Sequence, residues 1–593
     1  MNRKFLPISQ DDMKSRGWDE LDVILVSGDA YVDHPSYAAA VIGRVLEGAG
    51  YRVGIIAQPN CDKLDDFKKL GRPKLFFGVT AGNLDSMVAN YTANKKPRSA
   101  DDYSPGGKTA LRPDRAIMVY TNKIRQCFPG TAVVIGGLEA SLRRLAHYDY
   151  WSDKVRRSIL LDSKADILVY GMGERQILEI AARVKNGIDV KSIRDIPGTS
   201  IISNKIEGIK NYTKLPSFED VSANKDKFIE ALKIIYSEAD PFRGKTMLQK
   251  HADRYVIQYP PAIPHTTKEL DNIYDLDYAR RWHPVYDKDG GVPGFESVRF
   301  SVTSHRGCAG ECSFCSLYMH QGRIVHSRSA GSILREIGKI AEDVNFRGTI
   351  TDIGGPTVNL YMSECRRWKN GGTCAAKRCL MPSKCESLEL GYKEAIKLWS
   401  DALKIPGVKH VFVGSGIRYD LLTGRVSDAY LEALCRDHVS GQLKVAPEHC
   451  DAGILKLMNK PSFDVYESFR DRFDHFSQRA GKRQYLVNYI ISAHPGATLE
   501  SELDLALKLK SLHIYPEQIQ DYLPLPMTVS SCMYYTEKDF FTGKLIHVAK
   551  LGRERKLHRA LIQYKNPENR KYVIEALRSL KKIELAKELF TKR

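Results

Sequence analysis

An α/β protein is predicted, made of two successive strand-and-helix series. Three observations predict it. Short Val/Ile/Leu runs alternate with amphipathic stretches from Asp22 onward, a second alternation of the same kind begins near Val298, and glycines follow several of the runs. Length requires such a division, because 593 residues are too many for one hydrophobic core and, at about 150 residues per domain, suggest two to four units.

Taken in order, residues 22–27 form a buried-strand run and residues 37–50 follow with helical spacing and a terminal glycine, one βα unit. Residues 52–57, 75–80, 116–120, 132–135 and 166–170 read as further short strands, most followed by an amphipathic stretch. This is the pattern of a parallel sheet covered by helices, assigned to residues 1–200. Gly136, Gly137, Gly171 and Gly173 sit just past strand ends. Open sheets bind ligands at that edge, and tight strand-to-helix turns need glycine equally. Residues 201–290 are rich in Lys, Asp and Asn, with one helix expected at 225–237 and a proline pair at Pro260-Pro261, and are assigned as a connector. Strands are then expected at 349–353, 410–413, 442–445, 485–491 and 517–523, with crossovers that suit a complete or partial βα barrel over 291–535. Residues 536–593 are expected to form a basic helical segment.

With 43% apolar and 27% charged residues the chain is that of an ordinary folded protein. No apolar run approaches the roughly 20 residues that span a bilayer, and residues 1–18 carry no apolar core of a secretory signal. A cytoplasmic, reducing location without a membrane is therefore expected. Ninety Lys and Arg against 71 Asp and Glu leave a net charge of +19. That suits a polyanionic partner such as RNA, or simply a solvated positive face.

Seven of the twelve cysteines fall between Cys308 and Cys385. In a reducing compartment such a cluster holds metal more readily than it forms disulfides. Residues 304–315 (SHRGCAGECSFC) place Cys308, Cys312 and Cys315 in C-x3-C-x2-C spacing, which chance would produce roughly 0.005 times in a chain of this length. Three thiolates are one short of the four that a 4Fe-4S cluster normally takes, so one iron would stay open to a chelating amine and carboxylate. A zinc site is the structural alternative, although zinc favours C-x2-C pairs from two separate places.

This loop resembles the signature of the radical SAM superfamily, and the likeness extends along the second series. The resemblance implies that Cys308, Cys312 and Cys315 ligate the cluster and that S-adenosylmethionine binds its open iron. One electron would then give methionine and a 5'-deoxyadenosyl radical that abstracts a substrate hydrogen. Residues 352–356 (DIGGP) stand where the superfamily carries a GGE-like turn, so Gly354 and Gly355 would meet the SAM amino group, with Pro356 replacing the acidic residue. Residues 414–420 (GSGIRYD) resemble the segment that reaches the SAM ribose and carboxylate, which makes Ser415 and Arg418 the candidates. An arginine fork matches a carboxylate. Phe314 would shield the cluster and stack near the adenine, or serve as a plain core aromatic. The order of 443–449 (LKVAPEH), 454–460 (ILKLMNK), 494–498 (HPGAT) and 521–528 (DYLPLPMT) resembles methylthiotransferases and cobalamin-linked radical SAM enzymes. With 29–35 (DAYVDHP), 296–300 (ESVRF) and 320–323 (HQGR), the chain is similar to the YgiQ-type family of radical SAM proteins over nearly its full length. The implied fold is an N-terminal Rossmann-like (cobalamin-binding-like) parallel-sheet domain, a radical SAM partial (β/α) barrel and a helical basic C-terminal segment.

Cys365, Cys374, Cys379 and Cys385 follow in C-x8-C-x4-C-x5-C spacing within a basic insertion at 360–390. Three readings stay open: a zinc knot, an auxiliary iron-sulfur cluster, and unliganded thiols. The N-terminal domain lacks the D-x-H-x-x-G loop of cobalamin binders, since Asp33 and His34 are adjacent and Pro35 follows. The expectation is against cobalamin, with the domain a relic that positions substrate. His34, His147, His305 and His320 are expected to be structural. The function expected is a radical SAM enzyme served by an electron donor such as flavodoxin or ferredoxin, with RNA the first substrate guess. A cobalamin-dependent methyltransferase and a non-catalytic iron-sulfur protein are the competing readings.

Overall fold

Alternate residues of the early strands feed opposite faces of one sheet. Val23, Leu25, Val53 and Ile55 enter one apolar core with Ala40, Leu46, Ile177 and Ile180 of the helices Ala38–Gly48 and Glu174–Lys185. Ile24, Val26, Phe77 and Val79 enter a second core with Ile117, Tyr120 and Ile124 of the helix Ala116–Cys127. Both faces are covered, which is why these strands are unbroken apolar runs. Each fully buried Val or Ile contributes about 1.5–3 kcal/mol.

The computed structural model describes residues 4–516 and 518–591. The chain divides into two units: Met1–Thr303 with Ser316–Ile340 and Arg367–Thr373, and Ser304–Cys315 with Ala341–Arg366 and Cys374–Arg593. In the first unit, strands Val53–Ala57, Val23–Ser27, Phe76–Thr80, Ala132–Gly136 and Ile167–Val169 lie side by side and parallel. The sheet continues through Thr199–Ser203, Arg254–Gln258, Thr246–His251 and Tyr212–Lys214 to nine strands. Strands 199–203 and 254–258 are each antiparallel to their neighbours, so the sheet is mixed.

Two sequence expectations are corrected here. Residues 116–120, expected as a strand, open the helix Ala116–Cys127. Strands 76–80 and 132–136 already pair directly, which leaves no slot between them, and the burial of Ala116, Ile117, Tyr120, Thr121 and Ile124 has helical period. Residues 201–290 do more than connect, because they carry the hairpin 246–258 into the sheet. Its buried polar side chains hide the strand pattern: Gln249 Oε1 accepts from Ala146 N at 2.8 Å and Gln258 Oε1 from Arg144 Nε at 2.7 Å. The helix expected at 225–237 is present as Lys225–Ser237, capped by Asn224.

In the second unit, strand Gln442–Glu448 pairs in parallel with Tyr485–Ser492, which pairs with Gln520–Asp521. Thr349–Ile350 pairs in parallel with His410–Val411, and Ile417 bridges Val445. Helices Tyr392–Leu403, Phe463–Arg479 and Leu499–Ser511 fall between strands, the order of a partial βα barrel. Of the strand expected at 517–523, Glu517 lies outside the described residues. After the barrel, helices Gly552–Ile562, Arg570–Ser579 and Leu585–Phe590 share a core with Leu499–Ser511 through Leu503, Leu557, Leu561, Val573 and Leu577. Among the described residues, no helix is long and apolar enough to cross a membrane.

Candidate functional site

The loop that carries Cys308, Cys312 and Cys315 is held by its backbone. Cys315 N donates to Cys312 O at 2.9 Å, Ser313 N to Met458 O at 2.9 Å, and Ser530 N to Ser313 O at 2.8 Å. Asn459 ends the helix Ala452–Met458 in the left-handed region, which asparagine tolerates. From there its Nδ2 donates to Glu311 O at 2.8 Å and Gly310 O at 3.2 Å. None of the three cysteines forms a disulfide, and all three are half-buried. Burial, and then the neighbouring Cys312 sulfur, pushes the Cys308 thiol up to about 11 against the opposing pull of Arg418.

Arg418 supplies the positive charge. Its Nη2 and Nε donate to Asp420 at 2.6 and 3.1 Å, and its Nη1 lies 3.6 Å from Cys312 Sγ. Arg418 N donates to Asn359 Oδ1 at 3.0 Å, and Asn359 Nδ2 to Arg418 O at 2.8 Å. Burial works against the guanidinium charge, but Asp420 and the sulfurs of Cys312 and Cys308 outweigh it and raise the pKa.

Gly354 and Gly355 are close-approach positions. A Cβ on Gly354 would collide with Asp352 and lie 2.5 Å from Ser415 Oγ, and one on Gly355 would lie 2.5 Å from the His305 ring. Gly354 O accepts from Ser304 N at 2.6 Å and Ser304 Oγ at 3.0 Å. Ser415 is engaged with Asp352: burial raises that carboxyl, while the Ser415 hydroxyl and the backbone of Gly414 and Ser415 oppose the rise. Phe314 is half-buried and meets His494 edge-on at 6.2 Å between ring centroids. The structure thus brings Arg418 to the cysteine loop and Ser415 to the Gly354 turn. Asp420, Asp352, Asn359 and Asn459 were not singled out from sequence. Only Asp420 carried a signal, since it lies two residues from Arg418 and is the one acidic residue of the segment 414–420.

The four later cysteines also gather. Burial pushes the Cys379 thiol up to about 12, and Glu311, Cys365, Cys374 and Cys385 all lie near enough to add to the shift. Arg378 donates to Asn459 Oδ1, so that one asparagine ties together the loops bearing both cysteine groups. In the first unit, His34 is buried with Nδ1 accepting from Ser36 N at 3.1 Å and Nε2 3.0 Å from Arg280. His147 Nδ1 lies 3.0 Å from Leu145 O, His305 Nδ1 2.8 Å from Ser304 Oγ, and His320 Nδ1 3.0 Å from Ser141 Oγ. A small cleft of about 70 Å³, open to solvent, lies past the strand Ile167–Val169, lined by Tyr170, Gly171, His320 and Arg323 among others.

A family model described as Radical SAM N-terminal matches residues 5–301, and one described as a domain of unknown function matches residues 517–586. A UPF0313 protein of Methanocella arvoryzae is 50% identical over 98% of this chain and 96% of its own length. One from Clostridium botulinum is 49% identical over 97% of this chain and 90% of its own. Among solved structures, the cobalamin-dependent S-adenosylmethionine radical enzyme OxsB, with aqua-cobalamin and S-adenosylmethionine bound, aligns with a TM-score of 0.50 at 9% identity. The alignment covers 97% of this chain and 73% of that one. That likeness concerns the fold, and it lends no support to the expectation against cobalamin. With identity near one half sustained along almost the whole chain, and the radical SAM match over its first half, the chain belongs to the UPF0313 family of radical SAM enzymes.

Proposed function

We propose that Cys308, Cys312 and Cys315 hold a 4Fe-4S cluster and that the protein reductively cleaves S-adenosylmethionine there. The observation that carries this reading is the guanidinium of Arg418, fixed by Asp420 and directed at Cys312 Sγ from 3.6 Å. A buried positive charge against thiolates offsets the negative charge that a thiolate-ligated cluster brings below the surface. When bound, the cluster supplies an electron and an open iron for the amine and carboxylate of S-adenosylmethionine, which yields methionine and a 5'-deoxyadenosyl radical. The chain does the remaining work. Asn459 and the Ser313 backbone fix the loop, and the glycine backbone at 354–355 makes room for Asp352, Ser415 and the His305 ring. Ser415 locks Asp352, and Phe314 with His494 walls off water. The test is anaerobic incubation with dithionite and S-adenosylmethionine. Wild type should release 5'-deoxyadenosine and Cys312→Ala should not; equal release by both, or none by wild type, overturns the proposal.

Two refinements belong to the same reading. The cysteines Cys365, Cys374, Cys379 and Cys385 would hold a metal group of their own, an auxiliary iron-sulfur cluster or one zinc ion. Iron and zinc per chain in wild type and Cys374→Ala/Cys379→Ala decide between the two. RNA is the substrate class favoured by the +19 charge. Its binding should weaken steeply with salt, and salt-insensitive binding ends that assignment. In this reading 1–200, with the strands that 201–290 adds to its sheet, positions substrate, 291–535 carries the chemistry and 536–593 is the basic segment.

The cleft past strand Ile167–Val169 favours a second reading, a cobalamin-dependent methyltransferase, because open sheets bind ligands beyond the carboxyl ends of their strands. A stoichiometric spectral complex with hydroxocobalamin supports it, and none after reconstitution ends it.

A further inference from the structure

Outside both cysteine groups, nitrogen and oxygen donors converge on the helix Gly552–Ile562. Glu554 and His558 stand four residues apart on one face of that helix. His547 reaches them from the preceding loop, which is pinned by Gly496 N donating to His547 O at 2.7 Å. His547 Nε2 lies 2.6 Å from Glu554 Oε1. The ligand atoms of His547, Glu554 and His558 all fall within 4.8 Å of one another. His558 is fully buried, and its Nδ1 lies 3.1 Å from Glu502 Oε1. The carboxylate can only accept, so Nδ1 carries the proton and the lone pair sits on Nε2. That Nε2 has no hydrogen-bond partner and lies 3.9 Å from Glu554 Oε1, facing the other two ligands. Glu502 is itself fixed by Ala493 N at 2.9 Å.

A buried nitrogen lone pair left unmatched is costly in a core, and a metal ion satisfies it. A histidine whose far nitrogen donates to a carboxylate, while the near one points at further ligands, is the arrangement that orients metal-binding imidazoles. Two imidazoles and one carboxylate form a borderline set that suits zinc, with the remaining position left to water. We propose that His547, Glu554 and His558 bind a zinc ion, with Glu502 as the positioning residue behind His558.

The test uses the full chain, purified anaerobically with its iron, and zinc(II) or cobalt(II) as probe. His547 and Glu554 lie nearer the surface than His558, so His547→Ala and Glu554→Gln keep the buried core intact. Wild type should bind one more equivalent of zinc than either variant at unchanged iron content. Its cobalt form should show ligand-field bands without thiolate charge transfer, and these bands should vanish in His547→Ala. Glu502→Gln should weaken zinc binding by about 10–100-fold. Equal zinc in wild type and both variants, cobalt bands that survive His547→Ala, or iron in place of zinc at these residues overturns the assignment.

Discussion

Gly310 lies between Cys308 and Cys312, and changing it to alanine tests whether Arg418 is as tightly placed as its hydrogen bonds imply. An alanine Cβ there would stand 2.5 Å from Arg418 Nη1 and 3.3 Å from Cys308 Sγ. Ordinary contact begins near 3.4 Å, so the guanidinium must retreat by nearly an ångström and the sulfur by a tenth or so. Gly310 is not among the glycines with positive φ, and alanine therefore adds no backbone strain. The whole effect is steric. The guanidinium cannot simply swing away, because Nε and Nη2 are held by Asp420 and the backbone by Asn359. Overpacking of this kind costs about 1–3 kcal/mol, less than the roughly 3–5 kcal/mol of breaking a buried ion pair, so the loop rather than the pair should yield. At about 1.4 kcal/mol per tenfold, the cysteine loop should hold its iron roughly 5- to 150-fold less tightly. The assay is iron retained per chain under chelator challenge after anaerobic reconstitution, with circular dichroism to show an intact fold. The double variant Gly310→Ala/Arg418→Lys, which removes the obstructing fork, should be less than additive. Wild-type iron retention and melting temperature in Gly310→Ala would refute the reasoning.

Other outcomes follow from the same geometry. Asp420→Asn leaves a buried guanidinium without its counter-charge and should lower stability by about 3–5 kcal/mol, read as a shift in the denaturant midpoint, with 5'-deoxyadenosine formation falling alongside. Asn459→Ala removes two hydrogen bonds to the cluster loop and forces alanine into a left-handed conformation, a loss of about 2–4 kcal/mol. Asn459→Gly keeps the backbone and should lose only the hydrogen-bond share, and equal stability of wild type and both variants would show that the clamp carries no load. His147 is buried, and burial followed by the Arg143 charge depresses its pKa from 6.5 to about 3. The unfolded chain therefore takes the proton first as pH falls, so the stability is full above 6.5 and is lost toward about 3. The slope should be about 1.4 kcal/mol per pH unit. Urea midpoints measured near neutrality and in mild acid should show a shallower slope in His147→Asn than in wild type.

The parallel strands were legible because both of their faces are buried, so Val23–Ser27 and Ala132–Gly136 appear as unbroken apolar runs. The same rule produced the error at 116–120, since a five-residue apolar run cannot by itself distinguish a strand from the first turns of a buried helix. The hairpin 246–258 was hidden for the opposite reason. Gln249, His251 and Gln258 are buried and polar, and two of these side chains satisfy groups far away in sequence, so no local pattern announces a strand. The tail was read as basic because its lysines and arginines come in runs with apolar positions scattered between them, yet Leu557, Leu561, Val573 and Leu577 keep helical spacing and close a core on the helix Leu499–Ser511.

The site divides along the same physical line. The cysteine motif is written into the local sequence because its three thiols share one short loop, and the glycine pair at 354–355 is visible for the similar reason that its turn admits no side chain. What surrounds them is tertiary. Arg418 lies 106 positions from Cys312, Asn459 lies 149 from Gly310, and nothing in the intervening chain marks either pairing. The consequence reaches back to Gly310 itself, whose missing side chain looks like an ordinary small residue in a cysteine loop. It is required by a guanidinium that arrives from a distant stretch of the chain, and that guanidinium is held there by an aspartate two residues on. A substitution at Gly310, Asp420 or Asn459 should therefore act on the cluster while leaving every cysteine untouched, which separates a placed arginine from a merely nearby one.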